Sequence, residues 1–245
     1  MSDIIYGRNS VREALLAGRS LNKILIADGT SRRDIEDIIE LARAQGVVYQ
    51  FADRRNLDQM VGEKHQGIVA VSAAHQYVEL SDILTVAQES VYPPFLAVLD
   101  GIQDPHNLGS IIRTADAVGV HGLIIPRRQA VGLTAVVTKA SAGTTAHMQV
   151  ARVANLNQAM DTLKDAGLWL IGLEADGEAA FDSVDYTGPV AMVIGSEGKG
   201  LRPLVRRHCD EVVKLAIGGH AGSLNASVAA AIVLYEVFRQ REKKY

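Results

Sequence analysis

The chain has almost no cysteine, no long apolar run and no excess of positive charge, and each shortage excludes something. Cys209 is the single cysteine in 245 residues, which rules out a disulfide framework and any cysteine-rich zinc or iron–sulfur site. No apolar stretch approaches the ~20 residues needed to span a bilayer. Residues 1–18 carry Asp3, Arg8, Arg12 and Glu13 where a signal peptide would have an apolar core. The expectation is a soluble, cytoplasmic protein. The 25 Lys and Arg are outnumbered by 28 Asp and Glu, and a net charge of −3 excludes an indiscriminate binder of bulk nucleic acid. What is present is length, enough for one large domain or two smaller ones with a real core.

The pattern of the chain predicts two domains. Residues 1–75 read as a small αβ unit. Asn9 or Ser10 caps a short helix carrying Val11, Leu15 and Leu16, and residues 23–27 form a buried strand. Ser31 opens a helix in which Ile35, Ile38, Ile39 and Ala42 follow helical spacing. Strands at 47–51 and 67–73 flank a short helix at 57–61. Residues 76–94, which end in Pro93-Pro94, form the expected linker. From residue 95 to 245 strand and helix alternate, with strands near 95–99, 122–125, 148–153, 168–173, 190–194 and 211–215. Such alternation predicts an α/β fold with a parallel sheet covered on both faces. Ligands of these sheets bind beyond the carboxyl ends of the strands, which directs attention to the loops after Leu99, Ile194 and Leu215.

The first loop runs Asp100-Gly-Ile-Gln-Asp-Pro-His-Asn-Leu-Gly and enters a helix that bears Arg113. A helix starting near Asn107 puts that residue at its cap and Arg113 nearly two turns later. The second loop is Gly195-Ser-Glu-Gly-Lys-Gly-Leu201. Its glycines allow positive backbone torsions and a close approach of ligand to main chain. It fails as a phosphate loop, because Val193 stands where the first Gly must be and Gly200 replaces the Ser or Thr. The third segment carries Ser223, Asn225 and Ser227 into an apolar helix. One capping residue explains one of these three, not all of them. A stripe of Val228, Ala231, Ile232, Tyr235 and Phe238 on that helix predicts a core face or a subunit interface.

Taken together, "DGIQDPHNLGSIIRTADA", "VIGSEGKGL" and "SLNASVAAAI" resemble the three motifs of the SpoU/TrmH branch of the SPOUT RNA 2′-O-ribose methyltransferases, in order and at that family's spacing. "YGRNSVREAL" resembles the start of the small RNA-binding domain in the RlmB subfamily, which methylates a guanosine of 23S ribosomal RNA. The resemblance implies a parallel-sheet SPOUT methyltransferase domain with a C-terminal trefoil knot, preceded by a small αβ RNA-binding domain. It implies S-adenosyl-L-methionine as cofactor with no metal, a ribosomal RNA substrate and a homodimer. Matched residue by residue, it implies a catalytic and ribose-positioning set of Asn107, Arg113, Glu197, Ser223 and Asn225. Gly195, Leu215, Ile217 and Leu224 would line the cofactor pocket. The family has Ile-Pro-Met where this chain has Leu215-Ala216-Ile217, and losing the Pro predicts a looser pocket wall.

Arg is always charged, so Arg113 is read as a phosphate clamp that acidifies the ribose hydroxyl, and Glu197 as a positioning group. The seven His residues lack the paired spacing of a zinc site; His106 and His220 flank the expected site. RNA affinity in so neutral a chain must come from placement. Arg32, Arg33, Arg54, Arg55, Arg127 and Arg128 are the expected contacts, with Arg206-Arg207 a fourth pair. Three alternatives remain open: a transfer RNA 2′-O-methyltransferase, a catalytically weak RNA-binding protein of the same fold, and a dehydrogenase, which lacks its GxGxxG.

Overall fold

The computed structural model describes residues 4–73, 75–219 and 222–244; His220 lies outside them. The chain divides into one unit that runs to Gln76 and includes Gly132–Ala135, and a second made of Tyr77–Val131 and the chain from Val136 onward.

The first unit is built from β1 (Ile4–Tyr6), α1 (Arg8–Leu16), β2 (Leu21–Ala27), α2 (Glu36–Ala44), β3 (Tyr49–Ala52), α3 (Arg54–Val61) and β4 (Ile68–Ser72). Its sheet runs β1-β4-β2-β3, with β4 antiparallel to both neighbours and β2 parallel to β3. Val11, Leu15, Ile24, Ile26, Ile38 and Ile68 close the core between helices and sheet. Three expectations change here. Gly7, at φ 89°, precedes α1, so Asn9 and Ser10 lie inside the helix and Leu16 is 60% exposed. Residues Arg32–Asp34 form a 3₁₀ turn and α2 starts after Ile35, because Ile35 must turn into the core before the helix can begin. The three-residue β1 was missed because so short a strand has no readable period. His65 is fully buried: its Nδ1 accepts the Gly67 N–H (3.0 Å), which leaves Nε2–H to donate to Asp58 (2.9 Å).

The second unit contains α4 (Leu80–Glu89), β5 (Phe95–Asp100), α5 (Pro105–Ala117), β6 (Gly122–Pro126), α6 (Ala135–Ala140), β7 (Val150–Val153), α7 (Leu156–Asp165), β8 (Trp169–Leu173), β9 (Ala179–Ala180), β10 (Val190–Gly195), α8 (Pro203–His208), β11 (Glu211–Lys214) and α9 (Ala226–Glu242). Its sheet runs β7-β6-β5-β10-β8-β11-β9, and every pair is parallel. β5 is buried along its whole length and β10 as far as Ile194, as strands covered on both faces must be. Within the stretch expected to be a linker, α4 buries Ile83 and Ala87 in the same core as Leu96, Val98 and Ile124.

The expected stripe of α9 is not its core face. Ala230, Val233, Leu234 and Val237 face the core, while Val228 and Tyr235 are 48% and 57% exposed. The helix is apolar on two sides, so spacing alone could not choose between them. Its far end is tied down by buried Arg241, which donates to the carbonyls of Pro93 (2.8 Å), Pro94 (3.2 Å), Tyr186 (3.1 Å) and Gly188 (2.6 Å).

Candidate functional site

Strand register brings the motif loops together. β5 and β10 are neighbours, with Asp100 opposite Gly195, so their loops leave the sheet side by side. β8 separates β10 from β11, and Asn225 at the start of α9 reaches both Asn107 and Glu197.

The first loop is capped differently from expectation. Asp104, not Asn107, caps α5: its carboxylate accepts the N–H groups of His106 (3.3 Å) and Asn107 (3.0 Å), and Pro105 fills the first helical position. The Asp-Pro pair is a legible helix-start signal. The consequence is functional, because the Asn107 side chain is released from capping and turns toward the other loops.

On α9 the cap is Asn225. Its Oδ1 accepts from Ser227 N (3.0 Å), Ser227 Oγ (2.6 Å) and Val228 N (3.4 Å), which fixes the amide orientation. Asn225 Nδ2 therefore points away from the helix, donating to Asn107 Oδ1 (3.0 Å) and Glu197 Oε2 (3.1 Å). Asn107 Nδ2 in turn donates to the same Glu197 oxygen (3.4 Å). Three residues from three loops thus form one network. One carboxylate oxygen accepts from both amides.

Behind this network lies the floor. Asp100 is buried and accepts Arg202 N (2.8 Å) and Arg202 Nε (2.6 Å), tying the end of β5 to the exit of the second loop. Glu174, beyond β8, accepts Leu201 N–H (2.5 Å). Ser196 and Gly200 pair backbone to backbone and close the Gly-rich loop on itself. Gly198 and Gly200 hold positive φ (77° and 63°), and a Cβ on Gly195 would run into the Gly200 main chain. Sequence reasoning missed Asp100, Glu174 and Arg202, whose roles depend on partners 27 to 102 residues away.

A cavity of about 460 Å³ opens against this floor, within the size range of sites for drug-sized molecules. Gly195, Leu215, Ile217 and Leu224, the four expected cofactor contacts, all line it, together with Leu173, Ile194, Glu174, Glu197 and Ser223. The wall is apolar with a few polar groups and exposed backbone. That suits an adenine ring and an amino-acid chain, and a Cβ at Gly195 would collide with the Gly200 main chain. Arg113 is the exception among the expected residues. It is exposed on α5, and no hydrogen bond or ion pair joins it to Asn107, Glu197 or Asn225 among the described residues. Those residues contain no group of three or more His, Cys, Asp or Glu able to hold a metal ion. None of their helices is long and apolar enough to cross a membrane.

The expected RNA contacts are spread. Arg32, Arg33, Arg54, Arg55 and Arg128 are exposed, while Arg127 is half-buried. In the first unit Arg54 shares a polar hollow with Arg8, Asn9, Thr30, Ser31 and Gln66. Arg8 had not been expected there. Arg206 is committed to Asp176 at 2.5 Å. Burial pushes the Cys209 thiol up to about 12, as expected for an inert side chain.

Residues 94–235 match the model of the SpoU rRNA Methylase family, and residues 4–78 match that of the RNA 2′-O ribose methyltransferase substrate-binding domain. The chain is 48% identical over 239 residues to YacO of Bacillus subtilis (strain 168), named for the TrmH family of tRNA/rRNA methyltransferases; the match covers 98% of this chain and 96% of that one. A Staphylococcus aureus (strain MSSA476) relative named for the same family is 44% identical over 238 residues, covering 97% and 96%. Among solved structures, the SpoU methyltransferase AviRb from Streptomyces viridochromogenes in complex with the cofactor AdoMet superposes with a TM-score of 0.63 at 28% identity, covering 98% of this chain and 90% of that one. With both family models matched in order along the chain, this protein belongs to the SpoU/TrmH family of RNA methyltransferases.

Proposed function

We propose that the protein methylates the 2′-oxygen of a ribose in RNA, with S-adenosyl-L-methionine as methyl donor and a guanosine of 23S ribosomal RNA as target. The observation that carries this reading is the three-loop network of Asn107, Glu197 and Asn225 beside the cavity lined by Gly195, Leu215, Ile217 and Leu224. AviRb, similar over nearly the whole chain, holds AdoMet, and the donor set here fits the same cofactor. When bound, the cofactor supplies a methyl group already activated on sulfur.

The protein's part is orientation and proton handling. Asn225 is locked by its capping bonds, Glu197 locks Asn107, and these groups fix the direction from which a ribose hydroxyl approaches. Such alignment can be worth up to roughly 7–11 kcal/mol in favourable systems. Ser223, at the cavity wall, offers a hydroxyl to the same ribose. As the 2′-oxygen takes the methyl group its proton leaves, and a phosphate oxygen or water receives it. Arg113 clamps the neighbouring phosphate and lowers the hydroxyl pKa by its charge. Glu197, occupied by two amide donors, positions and does not abstract. The exposed Val228 and Tyr235 face of α9 supports a homodimer formed through that helix.

The test is incubation with radiolabelled cofactor and, separately, ribosomal and transfer RNA, followed by mapping of the modified ribose. Label on a 23S guanosine 2′-oxygen is expected. Label on transfer RNA alone would overturn the ribosomal assignment, and no label on either would favour a binding protein.

A further inference from the structure

Among the described residues, three charged side chains line the cofactor-sized cavity: Glu174, Glu197 and Lys199. Glu197 and Lys199 stand two residues apart on the Gly-rich loop, opposite in sign and both exposed to solvent. Glu174 is half-buried and held from several sides. Leu173, the last residue of β8, lies opposite Ile194, which sets Glu174 at the carboxyl edge of the sheet. Its main-chain N–H donates to the Val213 carbonyl (3.0 Å), and its own carbonyl accepts from Gly177 N (3.3 Å). The side chain turns over the second loop, where Oε1 accepts the Leu201 N–H (2.5 Å) and the carboxylate crowds the place a Cβ on Gly200 would take. Oε2 accepts no hydrogen bond among the described residues, and no ion pair joins Glu174 to a cation there. The Arg206 guanidinium, held protonated mainly by Asp176, is bonded to that residue (2.5 Å) and feels Glu174 only through space. One negative charge is thus left in excess in the cavity, on its floor and partly out of water.

We infer that Glu174 sorts the methyl donor from the spent product by charge; the assignment rests on S-adenosyl-L-methionine being the donor, as read above. The donor carries a sulfonium, an ammonium and a carboxylate, one net positive charge. Once its methyl group is bonded to the acceptor oxygen, the C–S bond electrons stay on sulfur, and the product is a thioether with no net charge. A carboxylate partly out of water attracts a cation more strongly than one in bulk solvent. Specificity is a difference between two affinities, and the product loses this attraction while keeping every apolar contact along the wall. Glu174 therefore acts on donor entry and product release. It offers the transition state no gain over the bound donor, because the positive charge it attracts disappears in the chemical step.

The test is calorimetry on the full chain with three probes: S-adenosyl-L-methionine, S-adenosyl-L-homocysteine, and sinefungin, in which an ammonium-bearing carbon replaces the sulfonium. The unsubstituted protein should bind both cationic probes about tenfold tighter than the thioether. Glu174→Gln keeps an oxygen for the Leu201 N–H but loses the charge. It should shrink that preference to about twofold or less by weakening the cationic probes alone. Glu174→Asp keeps the charge but shortens the reach to Leu201, so all three affinities should fall together and the preference should survive. A role confined to holding Leu201 predicts the reverse: Glu174→Gln near normal and Glu174→Asp weak, with no change of preference in either. Equal affinity of the unsubstituted protein for the three probes overturns the inference. So does a preference that Glu174→Gln leaves intact, or an equal loss of all three probes in that variant. If denaturant unfolding shows that Glu174→Gln is not folded, Glu174→Asp decides, since a preference lost with the charge retained overturns the inference as well. An unsubstituted protein that binds none of the probes removes the donor reading itself, and this inference with it, before any variant is compared.

Discussion

The rim and the floor of the cofactor-sized cavity adjoin each other, yet they are held in opposite ways. The rim network joins side chains that solvent can reach, with Glu197 and Asn225 exposed and Asn107 half-buried. Hydrogen bonds of that kind contribute only about 0.5–1.5 kcal/mol each to folding. The floor is different: Asp100 is sealed from water, and Gly195 meets Gly200 with no room for a methyl group. Floor residues are therefore fixed by packing and burial, whereas rim residues are chosen for what they present to a substrate. Substitution should separate the two, with floor changes moving mainly binding and stability and rim changes moving mainly turnover.

The largest effect belongs to Gly195→Ala. Its Cβ would meet the Gly200 main chain, which cannot swing aside as a side chain can. Calorimetry should show cofactor binding weakened at least about a hundredfold, equivalent to about 2.7 kcal/mol. Near-normal binding would mean that the floor is softer than its geometry. Asp100→Asn comes next. It keeps the shape but removes the charge that accepts from Arg202, and hydrogen bonds to charged groups contribute about 1.5–3 kcal/mol. Denaturant unfolding should report a loss of about 2 kcal/mol, with the midpoint shifted and the slope unchanged.

At the rim the expectation reverses. Asn225→Ala removes an N-cap and should cost about 1 kcal/mol of stability, while kcat falls by a hundredfold or more because Asn107 and Glu197 lose their common partner. Glu197→Gln still offers an oxygen to both amides and should keep most of the activity, with an unchanged pH profile. A loss as deep as that of Asn225→Ala would make Glu197 a base after all.

How much of this could be read in advance follows from the distance between partners. The parallel sheet was legible because β5 and β10 are continuous apolar runs, and the four cavity-lining residues because their motifs are contiguous in sequence. The cap at Asp104 was overlooked although Asp-Pro announces it, and Asn107 was given that job instead. The Asp100–Arg202 and Glu174–Leu201 ties could not be read at all. Nothing local marks a carboxylate whose partner is fixed only by strand order. On α9, spacing found an apolar stripe but could not tell a core face from a subunit interface, since Ala230, Val233, Leu234 and Val237 make an equally regular pattern. Arg113 was legible as a motif residue, but its exposed place on α5 was not.

The smallest effect belongs to a half-buried side chain. Cys209 sits behind the floor, its Sγ 3.4 Å from the Val205 carbonyl, and a Cβ on Gly172 would meet that sulfur at 2.9 Å. Burial pushes its thiol up to about 12, well above the ordinary value of 9.0, with Asp210 adding to the shift. The folded state therefore holds this proton more tightly than the unfolded chain does. The stabilisation is complete below pH ~9 and is lost as pH rises from there toward ~12, where the folded thiol itself titrates. Cys209→Ala should leave stability at pH 7 within about 1 kcal/mol of its original value and flatten the decline on the alkaline side. A thiol reagent at pH 8 should label the folded protein far more slowly than the unfolded one. Rapid labelling would show that water reaches behind the floor, and the contrast between a sealed floor and an open rim would then fail there.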